Sequence, residues 1–350
     1  MKSNKILLVF LLTAQLLFAQ VNDSITGDKN VFKEYYPIHI KPSIGYASNM
    51  TSLEDILFEA RPVVNYSIHN NMMRVMQKYK RKPSNAVYFS FQPHLRMYSE
   101  NSFPVKMPSY KILLGWQRLY KTPRHNFFAW AIESGHYSNG QSGCPFLVGE
   151  EAESEACEEF LRSVGPNADL TALLNRRNAN FSTNTTKITL NYRFNNLYQR
   201  KGRKTELSIP YKVHSVILGW ELFHNNLLGL IDIGGYTDFD INIYGRNRFT
   251  VGYEFIHTYK SRFRYAFKQE LVLIDKAHNH VERLRSVTSF TLYPFRKARE
   301  IGFFINYIYG HDDYNYRLVD SGNQFGAGVN WDWFAPFEIR RVRKINKNIL

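Results

Sequence analysis

Beyond its first 37 residues the chain alternates apolar and polar positions with a period of two, the mark of strands that turn one face to each environment. The clearest segment, 325–333, sets Phe325, Ala327, Val329, Trp331 and Trp333 on one face against Gly326, Gly328, Asn330 and Asp332. Just before it, Ile301, Phe303, Ile305, Tyr307 and Tyr309 share a face. Phe249, Val251, Tyr253 and Phe255 repeat the pattern, and so do Phe263, Tyr265, Phe267, Leu271 and Leu273, which leave Arg264, Lys268 and Glu270 opposite. Further segments lie near 60–70, 85–97, 109–119, 126–138, 181–195, 206–223, 228–236 and 283–293, with a weaker one near 38–48. The turns between them are full of Asn, Asp, Gly and Lys. Strands of roughly 9 to 11 residues with one apolar face, one charged face and aromatic ends suit a closed sheet in lipid, where every backbone group must pair. The pattern predicts an all-β fold, an antiparallel up-and-down transmembrane β-barrel of about 12 strands.

Composition sharpens this choice. The 350 residues include 23 Tyr, 26 Phe and 5 Trp, yet mean hydropathy is −0.38 and the formal net charge is +15. After residue 20 no run approaches the roughly 18 to 20 apolar residues of a membrane helix, which excludes a helical membrane protein. In a soluble β-sandwich or lipocalin-like barrel so many rings would crowd one core. In a membrane barrel they face lipid and form interfacial girdles, while the charges line the interior. Lys2 and Lys5, the apolar run from Ile6 to Leu12 and Leu17-Phe18-Ala19 read as a signal peptide, 1–19, cleaved after Ala19. The expected organisation is then an N-terminal periplasmic segment 20–50, a barrel 51–334 with a long loop 141–180, and a basic tail 335–350. The basic residues are spread over strand faces and turns, and no glycine-rich phosphate loop opens a helix, so neither nucleic acid nor nucleotide is expected as a partner.

The candidate chemistry lies where the segment 126–142 runs from a strand into a loop. Parity places Phe128, Trp130, Ile132, Ser134, His136 and Ser138 on the apolar face, and Glu133 and Tyr137 among the lumen-facing residues. A serine hydroxyl becomes a nucleophile beside a base, and the base needs an acceptor on its other ring nitrogen. In the next strand Asn184, Thr186, Ile188, Leu190, Tyr192 and Phe194 share the apolar face, with Asn184 at the loop end. Antiparallel pairing brings these ends together. Parity therefore predicts His136, Ser138 and Asn184 on the outside of the barrel near one membrane edge; Asn178 and Asn180 share the parity of Asn184 and rival it.

The heptad His136-Tyr-Ser-Asn-Gly-Gln-Ser142 resembles the His-x-Ser-Asn-Gly-x-Ser signature of the bacterial outer-membrane phospholipase A family. Tyr309-Gly310, Asp313-Tyr314-Asn315 and Gly326-Ala-Gly-Val329 are similar to the last two strands of that family. The resemblance implies a twelve-stranded outer-membrane barrel of a Gram-negative bacterium that hydrolyses phospholipid acyl esters (A1/A2 type) at the outer leaflet, with calcium as cofactor and a homodimer as its assembly. Carried over, Ser138 is the nucleophile, His136 the general base and then acid, Asn184 the residue that orients the imidazole, and Gly140 the donor of a backbone N–H to the oxyanion. The backbone carbonyl of Gln141 is the calcium ligand that remains, because Gly143 stands where the family has an Asp; an acidic side chain from the loop would have to complete the site.

That loop carries Glu150, Glu151, Glu153, Glu155, Glu158 and Glu159, flanked by Cys144 and Cys157, which can form a disulfide in an exported protein. It reads either as a rigid acidic lid or as a solvated surface loop with a staple. The competing class for the whole chain is a non-enzymatic outer-membrane porin or structural barrel, with His136 and Ser138 merely solvated among headgroups.

Overall fold

The computed structural model describes residues 40–50, 54–71, 83–99, 104–122, 126–201, 205–227, 231–232, 234–259, 263–295, 300–332 and 339–342. The expected signal peptide 1–19, most of the segment 20–50 and most of the tail 335–350 lie outside the described residues.

The period-two segments pair in chain order. The strands are β1 (Ser43–Asn49), β2 (Ile56–Arg61), β3 (Val64–Asn70), β4 (Ser84–Tyr98), β5 (Ser109–Lys121), β6 (Phe127–Ser138), β7 (Ser182–Lys201) and β8 (Thr205–His224). After the short strands β9 (Asn226–Leu227) and β10 (Ile231–Asp232) come β11 (Asn247–Tyr259), β12 (Phe263–Asp275), β13 (Leu284–Tyr293), β14 (Ile301–His311), β15 (Ser321–Trp331) and β16 (Ile339–Val342). β2 and β3 pair with successive parts of β4 and form one stave, interrupted at Pro62, which has no N–H to give a ladder. β8 pairs with β11 and β15 with β1, which closes an antiparallel barrel of 12 staves.

Two expected boundaries move. The barrel begins at Ser43, inside the segment set aside as 20–50, because β1 is needed between β15 and β2 to close the sheet. The described residues of the segment 228–236 form no stave. They contribute β10, which pairs only with β9, because β11 already occupies the edge of β8.

Parity sorts the barrel wall as the alternation requires. Phe249, Val251, Phe303, Ile305 and Phe325 are exposed on the outer face, while Arg248, Glu254 and Arg264 are buried on the inner one. Buried charges need partners. Arg96 bonds Glu59 at 2.6 Å, Asp312 at 2.6 Å and Asp313 at 3.0 Å, and Arg264 meets Asp332 at 3.1 Å. Tyr88 donates its hydroxyl proton to Glu133 at 2.9 Å, so Glu133 belongs to the lumen network.

The connections 139–181, 276–283 and 312–320 stand at one end of the barrel with the described residues 234–246 that lead into β11. The long loops carry α1 (Glu155–Ser163), α2 (Leu170–Leu173) and α3 (Asp238–Tyr244). Phe146, Leu170 and Phe181 pack with Tyr236, Tyr244, Val281, Tyr316 and Val319 in one buried apolar cluster. Tyr137 and Phe223, inward-facing at the ends of β6 and β8, join the same cluster, which therefore roofs the lumen at the loop-rich end.

Candidate active site on the barrel exterior

β6 ends at this roofed edge. Its inner face carries Ala129, Ala131, Glu133 and Tyr137, all buried; Trp130, Ile132, Ser134, His136 and Ser138 take the outer face. Across the β6–β7 ladder His136 lies opposite Asn184 and Ser138 opposite Ser182; across the β5–β6 ladder Tyr110 lies opposite Ser138 and Ile112 opposite His136. Nδ1 of His136 is 3.1 Å from Oδ1 of Asn184. Nδ2 of Asn184 donates to the backbone carbonyl of Asn225 at 2.6 Å. With the amide nitrogen committed to a carbonyl, Oδ1 is the acceptor, so Nδ1 of His136 carries the proton and Nε2 keeps its lone pair. Ser138 stands one strand repeat further on the same face, roughly 7 Å along the chain. Among the described residues its hydroxyl makes no hydrogen bond.

The rival asparagines sit elsewhere. Oδ1 of Asn178 accepts from Asn175 Nδ2 at 3.0 Å, and the backbone N–H of Asn180 donates to Gly143 at 2.7 Å; of the three, Asn184 is the one in contact with His136.

The turn after Ser138 is held by Asn139, to which the sequence reading assigned no role. Its Nδ2 donates to the carbonyl of Ala179 at 2.8 Å, and its Oδ1 accepts from the N–H groups of Phe181 at 3.0 Å and Gln141 at 3.2 Å. One buried carboxamide thus ties the outgoing turn to the returning chain. Gly140, next in the turn, has φ +65°, the left-handed region that glycine tolerates best.

A second polar row lies deeper on the same outer face. Ser134 Oγ and Thr186 Oγ1 are 2.8 Å apart, and Thr186 Oγ1 is 2.9 Å from Nε2 of His224. His224 stands opposite Asn184 in the β7–β8 ladder. His224 thus shares the outer face with Ser134 and Thr186.

The residues around the turn do not fit a carboxylate-bound calcium ion. Gly143 is wedged between two chain segments, its N–H donating to the carbonyl of Asn178 at 3.1 Å, and a Cβ at this position would stand 2.5 Å from that oxygen. The space for a side chain is therefore taken. Among the described residues no group of three or more His, Cys, Asp or Glu gathers as a metal site, and the six loop glutamates all face solvent. Cys144 and Cys157 form a disulfide with Cα atoms 5.8 Å apart, tying α1 to the start of the loop.

No family model matches the chain, and no curated protein matches it. Among solved structures, the outer membrane phospholipase of Salmonella typhi, described as a dimer with bound calcium, aligns with TM-score 0.50 and 9% identity over 87% of this chain and 94% of that one. The fold is that of an outer-membrane β-barrel. The outer membrane phospholipase A of Escherichia coli aligns with TM-score 0.48 and 8% identity over 84% of this chain and 97% of that one. An outer membrane channel from Pseudomonas putida F1 aligns with TM-score 0.37 and 9% identity over 88% and 99%. Likeness at these identities is likeness of fold.

Proposed function

We propose that the chain is an outer-membrane phospholipase that hydrolyses acyl ester bonds of phospholipids on the exterior of the barrel, at the outer leaflet. The observation that carries this reading is the His136–Asn184 pair, hydrogen-bonded on the outer face of the barrel wall with a serine beside it. Polar side chains on such a surface are costly and mark function. In this mechanism Ser138 Oγ attacks the ester carbonyl carbon as its proton passes to Nε2 of His136. Asn184 holds the imidazolium through Nδ1–H, and a backbone N–H of the Gly140 turn faces the oxyanion. Collapse breaks the ester C–O bond, and His136 returns the proton to the departing lysophospholipid alkoxide. Water, activated by the same nitrogen, then releases the fatty acid from acyl-Ser138.

The substrate's tails stay in the bilayer and only its ester must reach Ser138. The approach lies on the β5 side, where Ile112 and Leu114 are exposed beside the site. The apolar outer face is also the surface through which two copies would associate. The porin reading is disfavoured by the apolar roof over the loop-rich end.

Fatty-acid release from mixed micelles by the purified barrel tests the proposal. Ser138→Ala is expected to abolish release while the barrel still folds, and Asn184→Ala to reduce it less. A sulfonyl fluoride should label Ser138 equally with and without calcium. Release unchanged in Ser138→Ala overturns the mechanism, and steady conductance in planar bilayers without any release favours a porin.

A further inference from the structure

Asn184 points outward, yet it is fully buried. Asn225 and Gly234, from the chain that follows β8, lie against it. Three bonds hold this chain in place: the Asn225 carbonyl accepts from Asn184 Nδ2 at 2.6 Å, Ser182 Oγ donates to the Gly234 carbonyl at 2.9 Å, and the Tyr236 N–H donates to Asn225 Oδ1 at 3.3 Å. Gly234 packs so closely that a Cβ there would lie 2.1 Å from the Asn225 carbonyl oxygen and 2.5 Å from Asn184 Nδ2. Only a residue without a side chain lets the returning segment lie against both.

We infer that the Asn225 carbonyl, held in place by Gly234 and Ser182, is the positioning device of the His–Asn pair, an inference that rests on the esterase reading above. A carboxamide has two nearly isosteric orientations, one presenting oxygen and the other NH₂. The Asn225 carbonyl accepts and cannot donate, so it selects the orientation with Nδ2 toward itself and Oδ1 toward His136. An Oδ1 so placed selects the Nδ1–H tautomer of His136 and leaves Nε2 with the lone pair that a serine proton must enter. In the flipped orientation the NH₂ faces the imidazole, and the favoured tautomer puts the proton on Nε2, where it blocks the base. Ser182 is the outer anchor of this device. It lies opposite Ser138 in the ladder, so the anchor and the nucleophile share one rung.

The test compares Gly234→Ala, Ser182→Ala and Ser182→Thr in detergent, each checked for a folded barrel by heat modifiability on gels. Gly234→Ala and Ser182→Ala are expected to lower kcat about 10- to 100-fold, as small misplacements of catalytic groups do, with KM unchanged. Ser182→Thr, which keeps the hydroxyl, is expected to retain kcat. Nitrogen-15 spectra of the His136 imidazole give a readout that general loosening would not move: one Nδ1–H tautomer in the wild type and a mixture in the two impaired variants. A folded Ser182→Ala or Gly234→Ala protein with wild-type kcat and an unchanged His136 spectrum overturns the inference. If Gly234→Ala fails to fold, the Ser182 pair decides. If the wild type releases no fatty acid, the esterase reading falls by itself, and the tautomer comparison still decides whether the carbonyl positions the pair.

Discussion

At the scale of single residues the outer face of β6 was legible from parity, because a strand must send successive side chains to opposite faces. Ser134, His136 and Ser138 follow that rule. Other single-residue roles were not legible, because they depend on what folds back onto them. Asn139 gains its role from Ala179 and Phe181, some forty residues later in the chain. Gly143 stands at a position where the resembled family has an Asp, and here the carbonyl of Asn178 fills the space for a side chain. Gly143→Asp is therefore expected to lower the thermal stability of the loop without conferring calcium dependence. Melting curves and activity against calcium concentration check both halves, and a stable, calcium-stimulated variant would refute the packing account.

At the scale of elements, β6, the loop 139–181 and β7 form the unit that delivers the site. The Ser154 hydroxyl caps α1 by accepting from the Cys157 N–H, and the Cys144–Cys157 disulfide fastens the same helix to the loop's start. A closed loop of this size contributes about 3 kcal/mol in the chain-entropy model. The double variant Cys144→Ser/Cys157→Ser is expected to be cleaved faster within 139–181 by limited proteolysis, while the heat-modified gel shift of the barrel persists. Equal cleavage rates would mean that the apolar cluster alone holds the loop. The segment 228–236 shows the limit of periodicity at this scale. Its alternation suits a stave, but β11 takes the edge of β8, and the described residues Ile231 and Asp232 pair with β9 instead.

For the whole molecule, the roof over the lumen is joined by charges as well as apolar contacts. Arg176 binds Asp320 at 2.8 Å and Glu54 at 3.5 Å, and Arg317 binds Glu54 at 3.1 Å, linking three connections at the loop-rich end. Burial alone would raise the Glu54 carboxyl, but Arg317 and Arg176 outweigh it and hold it below its ordinary 4.5. A carboxyl depressed on folding stabilises the folded state above its ordinary range, and that stability is lost as pH falls through the depressed value. Melting temperatures are therefore expected to fall below pH 4.5, and Glu54→Gln to show a shallower decline than the wild type. Parallel curves for the two proteins would remove Glu54 from the account. The sequence by itself determined the all-β class, the faces of the staves and the placement of His136 and Ser138 on the outer one, since all three follow from the two-residue repeat of a strand. The tertiary structure alone decided that Asn184 meets His136, that Asn225 sets the direction of its carboxamide and that Gly143 has no room for a carboxylate. Those depend on ladder register and on where loops return, which are contacts between distant parts of the chain that no local period encodes.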